Sequence, residues 1–202
     1  MGRPKEFDEA QVVDLALQCF WQHGYEATSV RDLAGKMNLT GASVYNAFGD
    51  KRSLYRRTLE HYIDISIADR LRRLDGKMAP RDAIEAFFAE LIERSLNDPD
   101  RKGCMLVNSA LEMAPHDPEF REIVAEVLTR IESFYRRCVQ AGQRDGTITR
   151  AQSATDLGRM LLGLQLGLRV LARSRPEPAL LRGMVRAAMA LLEPGPLETR
   201  EK

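Results

Sequence analysis

Between Thr28 and Phe48 the chain reads TSVRDLAGKMNLTGASVYNAF. Thr40, Gly41, Ser43, Tyr45 and Asn46 gather hydroxyl, phenol and amide groups into one short stretch. Small polar side chains of this kind hydrogen-bond to phosphate oxygens and base edges without crowding a groove. The interleaved Ala42, Val44, Ala47 and Phe48 give the same stretch an apolar side to pack on a scaffold. Asn38-Leu39 interrupts the run, so Thr28 and Thr40 each head a short helical segment that their hydroxyls can cap. Thr28 and Thr40 are thus both caps and candidate DNA contacts. Two short helices joined by a tight turn make a helix-turn-helix, whose second helix enters a major groove. Lys51 opens the next helix, placed for a phosphate. Tyr45 could instead be a core tyrosine, but its place on the outward side favours a phosphate or base.

A second constellation lies in GCMLVNSALEMA, which is apolar nearly all round and so predicts burial. Cys104, Asn108 and Glu112 are spaced four apart and form one polar line along it. A buried Asn or Glu needs a partner, which is a ligand, a neighbouring side chain or a water. Tyr62, Phe88, Tyr135 and Gln165 are further candidate ligand-binding residues, although core packing would equally explain the aromatics. Cys104 heads its helix just after Arg101, Lys102 and Gly103, where the helix field favours a thiolate. The alternative is a small buried hydrophobe. Enzyme chemistry finds no footing: there is no Gly-rich phosphate loop, nucleophile elbow or HExxH. His23, His61 and His116 stand apart from any ligand set, so neither a metal nor a cofactor is expected.

The elements that must position these residues read as all-α. Asp8 caps a helix ending at His23, with Phe7 and Val12 placed as a hydrophobic staple and Gly24 as its stop. Asp50 caps a long helix from Lys51 to about Leu74. Further helices are expected over 80–96, 103–114, 118–143, 151–173 and 177–192, with Pro118 suited to a first turn. Residues 195–202 read as a frayed tail. The last two helices carry broad apolar faces, among them Leu157, Leu161, Leu164 and Leu168, then Leu181, Met184 and Val185. Gly163 and Gly167 share one helix face and would let another backbone approach, from a second subunit or from the same one.

The 202 residues carry a formal charge of +1. Bulk charge therefore names no partner. Residues 1–60 hold eight basic and eight acidic groups, so attraction to DNA would depend on distribution: Arg3 and Lys5 on an N-terminal arm, Lys51 and Arg52 at a helix start. That helix's free amides could also take a phosphate. Three scattered cysteines suggest reduced thiols in the cytoplasm. No signal-peptide stretch and no membrane span is expected.

Residues 1–60 resemble the DNA-binding domain of the TetR family of transcriptional repressors. The stretches carrying the resemblance are AxxxFWQHGYEATSVRDLA and NLTGASVYNAFGDKRSLY, together with the chain length. Asn46, where the family often has a second aromatic, and Gly49-Asp50 depart from the pattern and bear on the operator sequence. The resemblance implies a DNA-binding domain over 1–50 and a helical ligand-binding and dimerisation domain over 51–202, linked by the helix from 51. It further implies a homodimer on double-stranded, pseudo-palindromic operator DNA, released by a small-molecule effector. The two final helices would form the dimer interface.

Overall fold

The computed structural model describes residues 8–194, and the elements below are those of the described residues. All of them are helices: α1 (Glu9–His23), α2 (Val30–Met37), α3 (Gly41–Phe48), α4 (Lys51–Tyr62), a π-helical stretch (Ile63–Ala68), α5 (Asp69–Leu74), α6 (Pro80–Leu96), α7 (Met105–Glu112), α8 (Pro118–Asp145), α9 (Ala154–Ser174) and α10 (Pro178–Leu191). The chain forms two compact units. One is Met1–Ala68 with Cys104–Val124; the other is Asp69–Gly103 with Ala125–Lys202. The arm with Arg3 and Lys5, the staple residue Phe7 and the tail lie outside the described residues.

Local chemistry sets the helix starts. Asp8 accepts from the amides of Ala10 and Gln11, Thr40 from Ser43, Asp50 from Ser53 and Ser153 from Asp156. The α2 cap is a correction. Ser29, not Thr28, caps this helix, because Asp32 lies three residues on and completes a reciprocal capping box. The long helix expected from Lys51 to Leu74 changes to π-helical turns over Ile63–Ala68, where Ile63, Ile65 and Ile67 crowd the chain with β-branched side chains.

In the first unit α1, α2 and α4 close over Leu17, Phe20, Leu33, Leu54, Tyr55 and Leu59, none more than 1% exposed. Tyr55 organises the aromatic part of this core. Its ring lies 5.0 Å from Phe20, 5.1 Å from Tyr25 and 5.5 Å from Phe120. Its hydroxyl shares a 2.7 Å hydrogen bond with Ser109, so α7 belongs to the same core. In the second unit α6, α9 and α10 pack together around Phe87, Phe88, Phe134, Tyr135, Leu161, Leu168 and Leu181. Gly158 lets α9 approach α8: a Cβ there would sit 3.2 Å from the Arg136 backbone nitrogen. Gly163 and Gly167 differ, because a Cβ at either would meet nothing within 4 Å among the described residues. A close approach inside one subunit is therefore not their role.

Candidate nucleic-acid interface

Helix α3 buries Val44 and Phe48 and turns its other side outward. Tyr45 is 52% exposed, and Thr40 and Asn46 are exposed with it. Ala42 is exposed as well, although its apolar side chain suggested an inward place. Helical spacing explains this, since residue 42 shares a face with 45, 46 and 49. The Thr40 hydroxyl accepts from the Ser43 amide at 3.1 Å and donates to the Ser43 hydroxyl at 3.0 Å. Gly41 and Ser43 are half-buried beside them. The outward face thus presents Thr40, Ala42, Tyr45 and Asn46 on a rigid, capped helix.

Thr28 needs correction as a DNA contact. It is 1% exposed, and its hydroxyl donates to the Gly24 carbonyl at 2.6 Å. It closes the turn between α1 and α2 from inside. That turn is also held by Glu112 of α7, whose carboxylate accepts from the Tyr25 amide at 3.0 Å and the Glu26 amide at 2.8 Å. Gly24 adopts φ +85°, and a Cβ there would come within 3.0 Å of the Glu112 carboxylate. Glycine therefore serves twice, for the left-handed backbone and for the close approach.

Charge is distributed more favourably than its zero sum suggests. Asp32 completes the capping box of Ser29 and Asp50 caps α4, and the hydroxyls and amides they accept from hold both carboxyls below the usual carboxylate range. Glu9 pairs with Arg57, Glu60 with Arg56, and Asp14 with His61. Asp50 already occupies the N-terminus of α4, so the amides there are less available to a phosphate than the bare sequence suggests. Arg52 is also committed: it grips Asp117 through Nε at 2.6 Å and Nη2 at 3.0 Å, and Glu119 at 2.6 Å. Both acids raise its pKa further. Arg31, Lys36 and Lys51 make no ion pair among the described residues. Lys51 instead lies 4.2 Å above the Tyr25 ring, which orients its ammonium beside α3.

The expected ligand-binding residues divide between the units. Tyr62, Cys104, Asn108 and Glu112 fall in the first, where the Tyr62 hydroxyl donates to the Cys104 sulfur at 3.4 Å and Cys104 is 5% exposed. Glu112 is spent on the turn described above. Phe88, Tyr135 and Gln165 fall in the second and do come together. Phe88 stacks on Tyr135 with centroids 5.6 Å apart, and the Tyr135 hydroxyl donates to Gln165 Oε1 at 2.9 Å. Burial pushes the Tyr135 phenol well above its ordinary pKa. Sequence reasoning missed Arg70 and Arg169 beside this pair, 1% and 7% exposed. The available signal was position: each is a charged residue on the apolar stripe of its helix, between Ile67 and Leu74 and between Gln165 and Ala172.

A capped three-helix unit with a polar, exposed second turn helix defines a helix-turn-helix DNA-binding regulator. The pattern for "Bacterial regulatory proteins, tetR family" matches residues 12–58, and that for "Tetracyclin repressor-like, C-terminal domain" matches residues 80–188. The chain belongs to the TetR family and is a transcriptional regulator rather than an enzyme. It is 32% identical over 198 residues to the uncharacterized HTH-type transcriptional regulator YezE of Bacillus subtilis strain 168, covering 96% of this chain and 100% of YezE. It is 28% identical over 173 residues to the transcriptional repressor ComR of Escherichia coli K12, covering 85% of this chain and 82% of ComR. Among solved structures, a cysteine mutant of the TetR family regulator CifR complexed with 26 bp operator DNA superposes with a TM-score of 0.83. That match is 27% identical and covers 95% of this chain and all of the other. Among the described residues no helix is long and apolar enough to cross a membrane, and no group of side chains could hold a metal ion.

Proposed function

We propose that the chain is a homodimeric repressor that grips a pseudo-palindromic operator with two copies of α3 and lets go when a small molecule binds in the second unit. The observation that carries the reading is the outward face of α3, with Lys51 beside it and the neighbouring carboxylates already engaged. Tyr45 and Asn46 reach base edges or phosphates, Thr40, Gly41 and Ser43 bring the helix start against the backbone, and Lys51 meets a phosphate. Residues 1–50 do the reading, and residues 51–202 carry the effector and dimer functions. CifR, which this chain resembles over its whole length, was solved on operator DNA, and this supports the same use here. The dimer follows from α9, where Gly163 and Gly167 face open space beside the half-exposed Leu164 and Leu171. Two-fold symmetry would set the recognition helices about 34–36 Å apart, or a multiple of it. Since the partner is operator DNA, the working compartment is the bacterial cytoplasm.

Selection of bound duplexes from a random pool tests this reading. A palindromic consensus is expected, and Lys51→Ala should weaken all duplexes alike while reducing the salt slope by about one. Recovery of no preferred duplex by the purified protein would overturn it.

A further inference from the structure

The interior of the second unit holds more positive than negative charge. Arg70 on α5 is buried with its Nε 3.1 Å from Glu90 of α6 and its guanidinium carbon 5.1 Å from the centre of the Phe87 ring. Its Nη2 is shielded from solvent and finds no acceptor among the described residues. Glu90 cannot serve Arg70 alone, because Arg73 also takes both of its oxygens at 2.8 Å. Arg169 on α9 is buried too and makes a 3.3 Å bond to the neutral Ser95 hydroxyl. Arg94 adds a further positive charge acting on Arg70. Burial and the field of Arg169 push the Arg70 pKa down, and a guanidinium keeps its proton in a protein all the same. Phe87, which faces Arg70, also packs edge-on against Tyr135 at 5.3 Å, Phe88 stacks on Tyr135 at 5.6 Å, and the Tyr135 hydroxyl bonds Gln165, one helical turn before Arg169 on α9.

Burying a charge without a counter-charge is costly, and proteins keep such charges where a partner arrives to meet them. A guanidinium fork is shaped for a carboxylate, and an aromatic wall suits an apolar body. We infer that the effector of this regulator is a small monocarboxylate, its anionic end held by Arg70 Nη2 and Arg169 and its apolar body lying against Phe87, Phe88 and Tyr135. This rests on the reading that the second unit receives an effector, and it names the effector's chemistry. Gln165, bonded to the Tyr135 hydroxyl at 2.9 Å and one turn before Arg169 on α9, would orient the anion. The bound acid supplies the negative charge that Glu90, shared by two arginines, does not.

The test uses the full-length protein and three acids, benzoate, phenylacetate and hexanoate, each paired with its neutral amide. Thermal unfolding and calorimetric titration are read with and without the consensus duplex. At least one acid should raise the melting temperature while its amide does not, and Arg169→Met should lower the affinity by about tenfold or more. Arg169→Met should itself melt no lower than the parent, since it removes a like charge from Arg70. Arg70→Met provides a second, independent loss of binding. Equal effects of acid and amide, a response that survives Arg169→Met, or no response to any of the three acids would overturn the assignment. A duplex still bound in that last case would leave the DNA reading standing. Conversely, an acid that binds through Arg169 without releasing the duplex would keep the site and overturn release.

Discussion

The two units handle charge in opposite ways. In the first, charged groups stay at the surface and most carboxylates have a defined role. Asp8 and Asp50 cap helices, Asp32 completes the capping box of Ser29, and Asp117 and Glu119 hold Arg52. In the second, Arg70 and Arg169 lie inside, and Glu90, the carboxylate bonded to Arg70, is shared with the more exposed Arg73, while Arg169 meets only the Ser95 hydroxyl. A surface whose acids are engaged leaves its remaining cations to face an extended polyanion. An interior with surplus cations is instead incomplete on its own and suits a small anion that water does not screen. One fold can thus present positive charge to DNA and to a small molecule by different physical means.

The largest effect is expected where the second unit's charge is most delicately balanced. Glu90→Gln removes the carboxylate that Arg70 and Arg73 share and should cost about 3 kcal/mol, read by chemical denaturation. The arginines hold the Glu90 carboxyl down at about 2, against an ordinary 4.5. A depressed folded pKa contributes stability that is complete above 4.5 and is lost as pH falls towards 2. The parent should therefore weaken across that acid window more steeply than the variant. A variant as stable as the parent would erase the contrast between the units.

An intermediate effect is expected in the first unit. Glu112→Ala strips the acceptor from the Tyr25 and Glu26 amides and should cost about 1–2 kcal/mol. Hydrogen exchange should quicken at those two amides first, and operator affinity should fall although residue 112 is far from α3 in sequence. Unchanged exchange there would mean that the turn holds itself.

The smallest effect on stability should come from Arg31→Gln or Lys36→Gln, within about 0.5 kcal/mol of the parent. If either cation meets a phosphate, the salt slope of duplex binding should drop by about one for that variant. Titrations at several salt concentrations separate these two from Arg52, whose charge is held by Asp117 and Glu119.

How much of this was legible in the sequence follows from the range of the forces involved. Asp8, Thr40 and Asp50 could be read as caps because a cap is decided within three or four residues. Thr28 and Ser29 are both good caps, and only the reciprocal partner Asp32 separates them. The outward position of Tyr45 and Asn46 is legible because they stand on a short helix with an obvious inner side, while polarity misplaces Ala42, whose helical angle puts it on the same outward side. The ligand residues were harder. Spacing puts Cys104, Asn108 and Glu112 in line, but only the tertiary fold reveals that Glu112 serves the α1–α2 turn. Arg70 and Arg169 stayed hidden because a basic residue reads as surface until its neighbours on the helix are counted.

Glu112, Ser109 and Asp117 have a consequence for anyone building chimaeric regulators. A cut just past the recognition helix, at residue 50, is the boundary that the sequence alone would suggest for such an exchange. A graft of residues 1–50 alone would leave behind the carboxylate that receives the Tyr25 and Glu26 amides. A graft extended through α4 to residue 68 would keep Tyr55 and Arg52 but lose the hydroxyl paired with Tyr55 and the acid that grips Arg52. The transplantable piece is discontinuous: the first segment, through residue 68, has to travel with 104–124, so a functional hybrid exchanges two segments of the recipient chain rather than one.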